Sequence, residues 1–321
     1  MKHPNLIDYD HHLGMIDKKR AGKLPEGLGI GITDWDNYIR LKPNDFTVVF
    51  GHANVGKTTV ILWTMLVYSV KHGTRWLIYS SENNAWSLID KLISMKLMEQ
   101  TPKVTDQDYY NARDFVMHHF QFIDDTRTYT AYELLRVAQD MITDYPYDGF
   151  LIDPYNSLMK DREILRAVGA HEYDYEVATA FRLFCKKEGK SLFLNAHGVT
   201  EALRKAHGKN DEYLGQPLEG HPRPLAVGDI EGGSKWSSRS DNMWCIHRYT
   251  RHENLYNYSL IHVNKVKETE TGGAPTFFNE PVRLQMYAGN CFKVGGLYNP
   301  ISDETPETQQ AREDNTDIFG L

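Results

Sequence analysis

The sequence has few cysteines, no long apolar run and no excess of basic residues. Its three cysteines, Cys185, Cys245 and Cys291, are isolated and lack a C-x-x-C spacing, which argues against a zinc module or a disulfide framework. No apolar run reaches the roughly 18 residues of a membrane span, and the polar first residues do not resemble a signal peptide. We therefore expect a cytoplasmic protein without a membrane partner.

The charge balance excludes a protein that is coated with basic side chains. The 321 residues include 36 Lys and Arg against 43 Asp and Glu, a formal net charge of −7. Any contact with nucleic acid must therefore come from local loops rather than from an overall positive field. The length is sufficient for one large α/β core with appendages.

The most specific motif is a glycine-rich loop that follows an apolar strand at 46–50. It reads G-x-x-x-x-G-K-T and leads into an apolar segment, 59–72, which is typical of a buried helix. Such a loop points backbone N–H groups at phosphates, while its Lys reaches the β and γ oxygens and its Thr holds Mg²⁺. We predict that ATP, or another NTP or dNTP, binds here with Mg²⁺. The predicted nucleotide-binding residues of the loop are Gly51, Asn54, Val55, Gly56, Lys57, Thr58 and Thr59.

Strands and helices alternate after this loop, which predicts an α/β protein with a mostly parallel sheet covered on both faces. From about residue 242 the pattern becomes β-rich, and we expect an antiparallel extension at one edge of the sheet. The predicted strands are 76–80, 120–123, 149–152, 191–194, 243–247, 258–263 and 276–286, and the predicted helices are 85–99, 130–143 and 172–188.

Polar side chains stand at the ends of three of these strands. Asp153 follows an apolar strand, as expected of a carboxylate that holds Mg²⁺ together with Thr58, although a helix-capping Asp would look the same. Glu82 follows the strand 76–80 and is the candidate general base, although an acid near the start of the next helix would look the same. His197 closes the strand 191–194 and is a candidate sensor of the γ-phosphate, whereas a lone His is more often structural. Because parallel strands end at a common edge, we expect these groups near the phosphate loop.

The order of these motifs resembles the RecA-like motor domain of hexameric replicative helicases, which include the DnaB type, Twinkle and the helicase half of phage primase-helicases. The resemblance covers roughly residues 25–290. Glu82 matches the position of the family's catalytic glutamate and Asp153 that of its Walker B aspartate. His197 is similar to the His of the Twinkle and phage branch, where DnaB proteins carry Gln.

The resemblance also implies one further nucleotide contact and a pair of residues that act between subunits. Arg248 occupies the place of a strand-terminal Arg that contacts the nucleotide. Lys265 and Lys267 match a Lys-x-Arg pair that enters the neighbouring subunit's site, so the second position of the pair is Lys here. A lysine supplies charge without the bidentate fork of an arginine, which predicts either weaker stimulation of hydrolysis in trans or a contribution from Arg248 or Arg251. Ordinary surface lysines at these two positions would look the same.

A long polar segment, 198–240, is the expected DNA-binding region of such a ring. A solvated charged loop would have the same composition, and Glu231 stands where DnaB proteins have a DNA-contacting Arg. Phosphate contacts from this region would let an acidic protein bind single-stranded DNA. The candidate DNA-binding residues are Arg204, Lys205, Lys209, Arg223, Gly232, Gly233, Ser234 and Lys235.

Three regions are expected along the chain. Residues 1–24 form a linker helix that packs on the adjacent subunit, 25–298 form the RecA-like domain, and 299–321 form an acidic disordered tail. The tail resembles those by which some phage replication proteins recruit a polymerase, and it could equally bind a primase or a single-strand-binding protein. A disordered tail without a partner would have the same composition. We expect any primase to be a separate chain.

The sequence therefore predicts an ATP-dependent replicative DNA helicase, encoded by a phage or prophage and located in the cytoplasm of a bacterial cell. By resemblance it acts as a homo-hexameric ring that moves 5′→3′ on single-stranded DNA, with NTP sites between subunits. One alternative is a RecA-fold, DNA-dependent ATPase that serves as a recombination mediator or remodeller without unwinding. Another is a KaiC-like ring ATPase that does not act on DNA.

Overall fold

The computed structural model describes residues 6–7, 9–296 and 298–302, so the predicted acidic tail from residue 303 onward lies outside the described residues. The strands are β1 Phe46–Gly51, β2 Trp76–Ser80, β3 Phe120–Phe122, β4 Gly149–Asp153, β5 Ser191–His197, β6 Glu212–Tyr213, β7 Gln216–Pro217, β8 Asn242–His247, β9 Tyr258–Val266, β10 Val282–Met286 and β11 Phe292–Val294. The α-helices are α1 Tyr9–Arg20, α2 Thr33–Asp36, α3 Lys57–His72, α4 Ala85–Leu97, α5 Asp106–His119, α6 Ala131–Asp144, α7 Arg162–Glu188, α8 Gly233–Arg239 and α9 Thr269–Gly272.

One nine-stranded sheet organises the chain, in the order β11-β10-β9-β8-β1-β5-β4-β2-β3. The six strands from β8 to β3 are parallel, and β9, β10 and β11 continue the sheet as antiparallel neighbours. The prediction of an α/β protein with an antiparallel C-terminal extension is thus confirmed. The short strands β6 and β7 form a separate hairpin within the long polar loop.

The central strands are buried on both faces, which explains why they read as continuous apolar runs. Helices α3, α4 and α5 cover one face, where Trp63 and Leu92 are fully buried. Helices α6, α7 and α8 cover the other face, where Phe181 and Trp236 stack with ring centroids 6.4 Å apart. No helix of the described residues is long and apolar enough to cross a membrane.

Some elements differ from the sequence prediction. Helix α5 is absent from that prediction because only three of its residues are buried, although Thr105 caps it by accepting the N–H of Asp108 at 3.2 Å. Helix α7 begins at Arg162 rather than at 172, and is interrupted by Gly169 at φ 79°. The predicted strand 276–286 is wrong in its first half, since β10 starts at Val282, after an exposed loop.

Helix α1 lies where the linker helix is expected. Its apolar side chains Leu13 and Ile16 are 50% and 59% exposed, so the described residues do not bury them. Lys19 Nζ lies 2.5 Å from Glu270 Oε1, the carboxylate of a residue in α9. Exposed apolar groups on a helix at the surface are available to another protein surface.

The stability of the fold should depend on pH through buried imidazoles. Burial lowers the pKa of His262 to about 4 and holds the pKa of His247 well below its usual range. An unfolded histidine has a pKa of about 6.5, so below that pH a proton binds the unfolded chain more readily than the folded one. The free energy of unfolding is therefore highest above about pH 6.5 and falls as the pH drops toward 4.

We expect His262→Phe to reduce this acid sensitivity, because the phenyl ring cannot be protonated and a cavity beside it leaves room. Between about pH 7.5 and about pH 5 the wild-type free energy of unfolding should fall by about 2 kcal/mol more than that of the variant. Urea unfolding at several pH values measures both. Parallel pH profiles for the two proteins would contradict the assignment.

Candidate functional site

The glycine-rich loop connects β1 to α3 at the carboxyl edge of the sheet. Gly56 precedes the helix in the left-handed region at φ 88°, a conformation that favours glycine. Gly51 is required for a different reason, since a Cβ there would lie 2.2 Å from the carbonyl oxygen of Ile246. Lys57 Nζ donates to the carbonyl oxygens of Gly51 and His52 at 3.2 and 3.0 Å. The loop thus has the form that a phosphate chain requires.

Asp153, the last residue of β4, lies beside this loop and is fully buried. Its carboxylate accepts hydrogen bonds from Thr58 Oγ1 at 2.9 Å and from the side-chain amide of Asn195. Burial raises the pKa of Asp153, and these two hydrogen bonds oppose the shift. The group is therefore held in place at a junction of three segments that are far apart in the sequence.

The oxygen ligands at this junction fit Mg²⁺. Thr58 offers a hydroxyl and Asp153 a carboxylate, and Mg²⁺ bound with a nucleotide typically uses one or two protein oxygens plus phosphates and waters. Asn195 Oδ1 is buried without a hydrogen-bond partner among the described residues, so it is free to accept from a metal-bound water. The described residues contain no cluster of three or more His, Cys, Asp or Glu side chains that could hold a metal on its own.

Glu82 and His197 face each other across the same crevice. The distance from His197 Nε2 to Glu82 Oε1 is 3.4 Å, and the Glu82 side chain is 51% exposed. Burial and the Lys57 ammonium lower the pKa of His197, while Glu82 raises it less. The imidazole is therefore neutral near pH ~7, and the exposed carboxylate has access to water.

A chain of hydrogen bonds leads from this crevice to the polar loop. The backbone N–H of His197 donates to Asn156 Oδ1 at 3.4 Å, and Asn156 Nδ2 donates to Glu231 Oε2 at 2.5 Å. Gly198 also forms a β-bridge with Ile230. The end of β5 is thus joined to the segment before α8 by side-chain and backbone contacts.

Sequence reasoning missed two residues at this site. Lys91, in α4, donates to Thr59 Oγ1 at 3.3 Å, so a second lysine stands beside the loop. The sequence carries a signal for it, because Leu88 and Leu92, three positions before and one after Lys91, are buried on the inner face of α4. His52, within the loop, contacts the carbonyl oxygen of Arg223 at 2.9 Å and so connects the loop to the polar segment.

The candidate DNA-binding residues do not form a single basic surface. Lys205 Nζ lies 2.5 Å from Asp229 Oδ1, and an Nη of Arg223 lies 2.9 Å from Asp211 Oδ2, so two of the cations are paired within the loop. The remaining candidates differ in exposure: Lys209 and Ser234 are exposed, Gly232 and Lys235 are partly exposed, and Gly233 is buried, while Arg204 ends a short 3₁₀ turn at 200–204.

Lys265 and Lys267 lie at the opposite end of the strands from the phosphate loop of their own chain, whereas Arg248 follows the carboxyl end of β8, on the same side as that loop. Lys265 pairs with Met243 at the far end of β8, and its Nζ donates to the carbonyl oxygens of Ser237 and Ser240. Lys267 is half-exposed and lies 3.5 Å from Asp241 Oδ1. Arg248 follows β8 and donates to the carbonyl oxygen of Tyr256 at 2.5 Å.

Solved structures share this fold. One, an isolated ATPase domain, has a TM-score of 0.67 at 12% identity, over 90% of this chain and 99% of that one. A DnaB-like replicative helicase, described with its interactions with primase, has a TM-score of 0.64 at 12% identity. The match covers 90% of this chain and 67% of the helicase chain. A KaiC-like protein, PH0186 from Pyrococcus horikoshii OT3, has a TM-score of 0.52 at 14% identity. The match covers 84% of this chain and 99% of the KaiC-like chain.

At the level of sequence, no family model and no curated protein matches the chain. Identities of 12–14% establish the fold alone. The predicted RecA-like α/β fold is confirmed.

The position of Lys91 predicts a contribution to nucleotide binding. We expect Lys91→Ala to weaken binding of a fluorescent ATP analogue about 10- to 100-fold, since a charge-assisted hydrogen bond near the phosphates is lost. Lys91→Arg should retain most of the affinity. Lys96→Ala is the matched control, because the Lys96 ammonium lies over the ring of Phe115. Equal affinities for the two alanine variants would exclude the role.

Proposed function

We propose that this protein is an NTP-driven motor that moves along single-stranded DNA, as a ring helicase of the DnaB and Twinkle kind. The observation that carries the proposal is the arrangement of Lys57, Asp153, Glu82 and His197 around one crevice at the carboxyl edge of the sheet. The fold shared with a solved ATPase domain and with a DnaB-like replicative helicase supports the same assignment.

The crevice suits hydrolysis of a phosphoanhydride by water. Lys57 lies where its ammonium, released from the loop carbonyls, would bind the β- and γ-phosphates. Thr58 and Asp153 would hold Mg²⁺, which neutralises charge on these phosphates when bound. Glu82 is exposed enough to orient a water molecule and to accept its proton as the oxygen attacks the γ-phosphorus.

His197 and Asn156 would transmit the state of the nucleotide to the polar loop. The neutral imidazole lies 3.4 Å from Glu82 and can donate to a γ-phosphate oxygen when one is present. A shift of His197 would disturb the hydrogen bond from its N–H to Asn156, and Asn156 also holds Glu231. Release of Glu231 would change the segment that carries Gly232 and Lys235, where we propose DNA contact.

A neighbouring subunit would complete the site. Lys267 lies at the opposite edge of the sheet from the phosphate loop, so within a ring it would face the next subunit. Arg248 would contact the nucleotide from the end of β8. The exposed Leu13 and Ile16 of α1 support docking of this helix on another copy of the chain. Hexamer formation, 5′→3′ movement and binding of a primase, a polymerase or a single-strand-binding protein follow the same resemblance.

A ring ATPase that does not act on DNA is the second candidate. Two observations favour it: the KaiC-like protein shares the fold, and Lys205 and Arg223 each already have a carboxylate partner, which lowers the net positive charge that the loop presents. A DNA-dependent ATPase that does not unwind is a third, supported by lysine in place of arginine at position 267.

Hydrolysis of ATP with and without single-stranded DNA separates these candidates. We expect stimulation by DNA that rises cooperatively with protein concentration. Glu82→Gln should lower the rate at least about 100-fold while nucleotide binding persists, because the general base is lost. Lys57→Ala should lose both hydrolysis and binding. Glu163→Gln, an exposed change in α7, is the matched control.

A rate that does not respond to DNA would remove the motor proposal and favour the KaiC-like alternative. Stimulation without unwinding of a forked duplex would instead favour the remodeller.

Lys267 and Lys265 should give different phenotypes. We expect Lys267→Ala to lower kcat at least about tenfold with KM little changed, since a trans cation stabilises the transition state. Lys265→Ala should instead lower the free energy of unfolding by about 1–2 kcal/mol, because two carbonyl oxygens lose their donor. Steady-state kinetics and urea unfolding of both variants measure this, and an unchanged kcat for Lys267→Ala would contradict the trans role.

A further inference from the structure

A cavity of about 600 Å³ lies beside the polar loop and is not part of the phosphate site. Its floor is formed by Leu260 and His262 of β9, on the face of the sheet that also carries Cys245. The loop that contains β6 and β7 covers it from one side, and Phe278 lies at its rim. A volume of several hundred Å³ is typical of small-molecule sites.

Aromatic rings form much of the wall. The ring centroids of Tyr213 and Tyr249 lie 6.5 Å apart, and that of Phe278 lies 6.2 Å from His262. Phe278 is 70% exposed, so its outer surface is not covered by the described residues. Flat apolar faces of this kind bind planar rings by stacking.

His262 supplies a polar atom that is left unpaired by the described residues. The side chain is 8% exposed, and its Nε2 is buried without a hydrogen bond in the part of the chain that the structure describes. A buried polar atom left unpaired destabilises the fold, and a small rotation of the imidazole toward the cavity would let a ligand heteroatom satisfy it. Because burial lowers the pKa of His262 to about 4, the imidazole is neutral near pH ~7 and can form a hydrogen bond with the edge of an uncharged ligand ring.

The rim of the cavity carries the positive charge of Arg223, which contacts the carboxylate of Asp211. Asp211 Oδ2 is 2.9 Å from His207 Nδ1 and 2.9 Å from an Nη of Arg223, so the carboxylate is already paired. Arg223 is exposed and has further N–H donors, which suit a phosphate. Its carbonyl oxygen contacts His52 of the phosphate loop, so the rim is connected to the nucleotide site.

We propose that this cavity binds an unstacked nucleobase, with the phosphate of the same nucleotide at Arg223. The base stacks against the aromatic wall, Phe278 covers its outer face, and one ring heteroatom pairs with His262 Nε2. The base comes either from single-stranded DNA that lies along the loop or from a free nucleotide. The first source rests on the proposed function, whereas the second does not.

Abasic DNA separates base binding from phosphate binding. Fluorescence anisotropy would compare a labelled oligothymidylate with an abasic oligonucleotide of the same length, with a non-hydrolysable ATP analogue saturating the phosphate loop. We expect wild type to bind the oligothymidylate at least about tenfold more tightly, in line with the effect of one stacked base. Phe278→Ala should remove this preference. Phe277→Ala is the matched control, since Phe277 is 73% exposed, adjacent, and does not line the cavity.

The second arm titrates free dTMP and dAMP by calorimetry under the same conditions. Saturable binding that Phe278→Ala abolishes, without a preference for bases in DNA, assigns the cavity to a free nucleotide. If wild type neither prefers the oligothymidylate nor binds a monophosphate, or if Phe278→Ala retains both properties, the inference is overturned even where hydrolysis responds to DNA. Binding of a monophosphate by a protein that binds no DNA would support the cavity and remove the motor proposal.

Discussion

The parallel pairing of β1, β5, β4 and β2 is the constraint on which the rest of the site depends. Hydrogen bonds between parallel strands require that their carboxyl ends meet at one edge, so Gly51 pairs with His197, and Ser80 with Asp153. The contact between Thr58 and Asp153 joins residues 95 positions apart in the sequence. Burial of these strands on both faces prevents a change of register, because every side chain would exchange its surroundings.

This arrangement of strands brings acidic and basic side chains together in one crevice. Two carboxylates, Asp153 and Glu82, share the crevice with the ammonium groups of Lys57 and Lys91. Burial disfavours the charged form of each enclosed group, and the opposite charges compensate. A phosphate chain would add negative charge at Lys57 and Lys91, and Mg²⁺ would offset it at Asp153. The site is thus suited to bind a nucleotide and a metal together.

The groups proposed to act on the nucleotide and the lysine proposed to act on a neighbouring subunit lie at opposite ends of the strands. The carboxyl edge gathers the groups that act on the nucleotide, and the opposite end of β8 and β9 carries Lys267 and Asp241. A single chain cannot bring Lys267 to its own phosphate loop without breaking the sheet. This separation, together with exposed apolar groups on α1, is the physical argument for a site shared between copies of the chain.

The sequence by itself determined the phosphate loop, the buried strands and the acids Glu82 and Asp153 that follow them, because these depend on a local motif and on short continuous apolar runs. It did not predict α5, whose buried stripe is too narrow, or the loop that carries Phe278. Only the tertiary structure decided that Lys91 reaches Thr59, that Lys265 bonds to its own chain, and that the described residues leave Nε2 of His262, a residue that lines a cavity, unpaired. The reason is that these contacts join distant segments, and the partner of a long polar side chain depends on which surfaces the fold brings together.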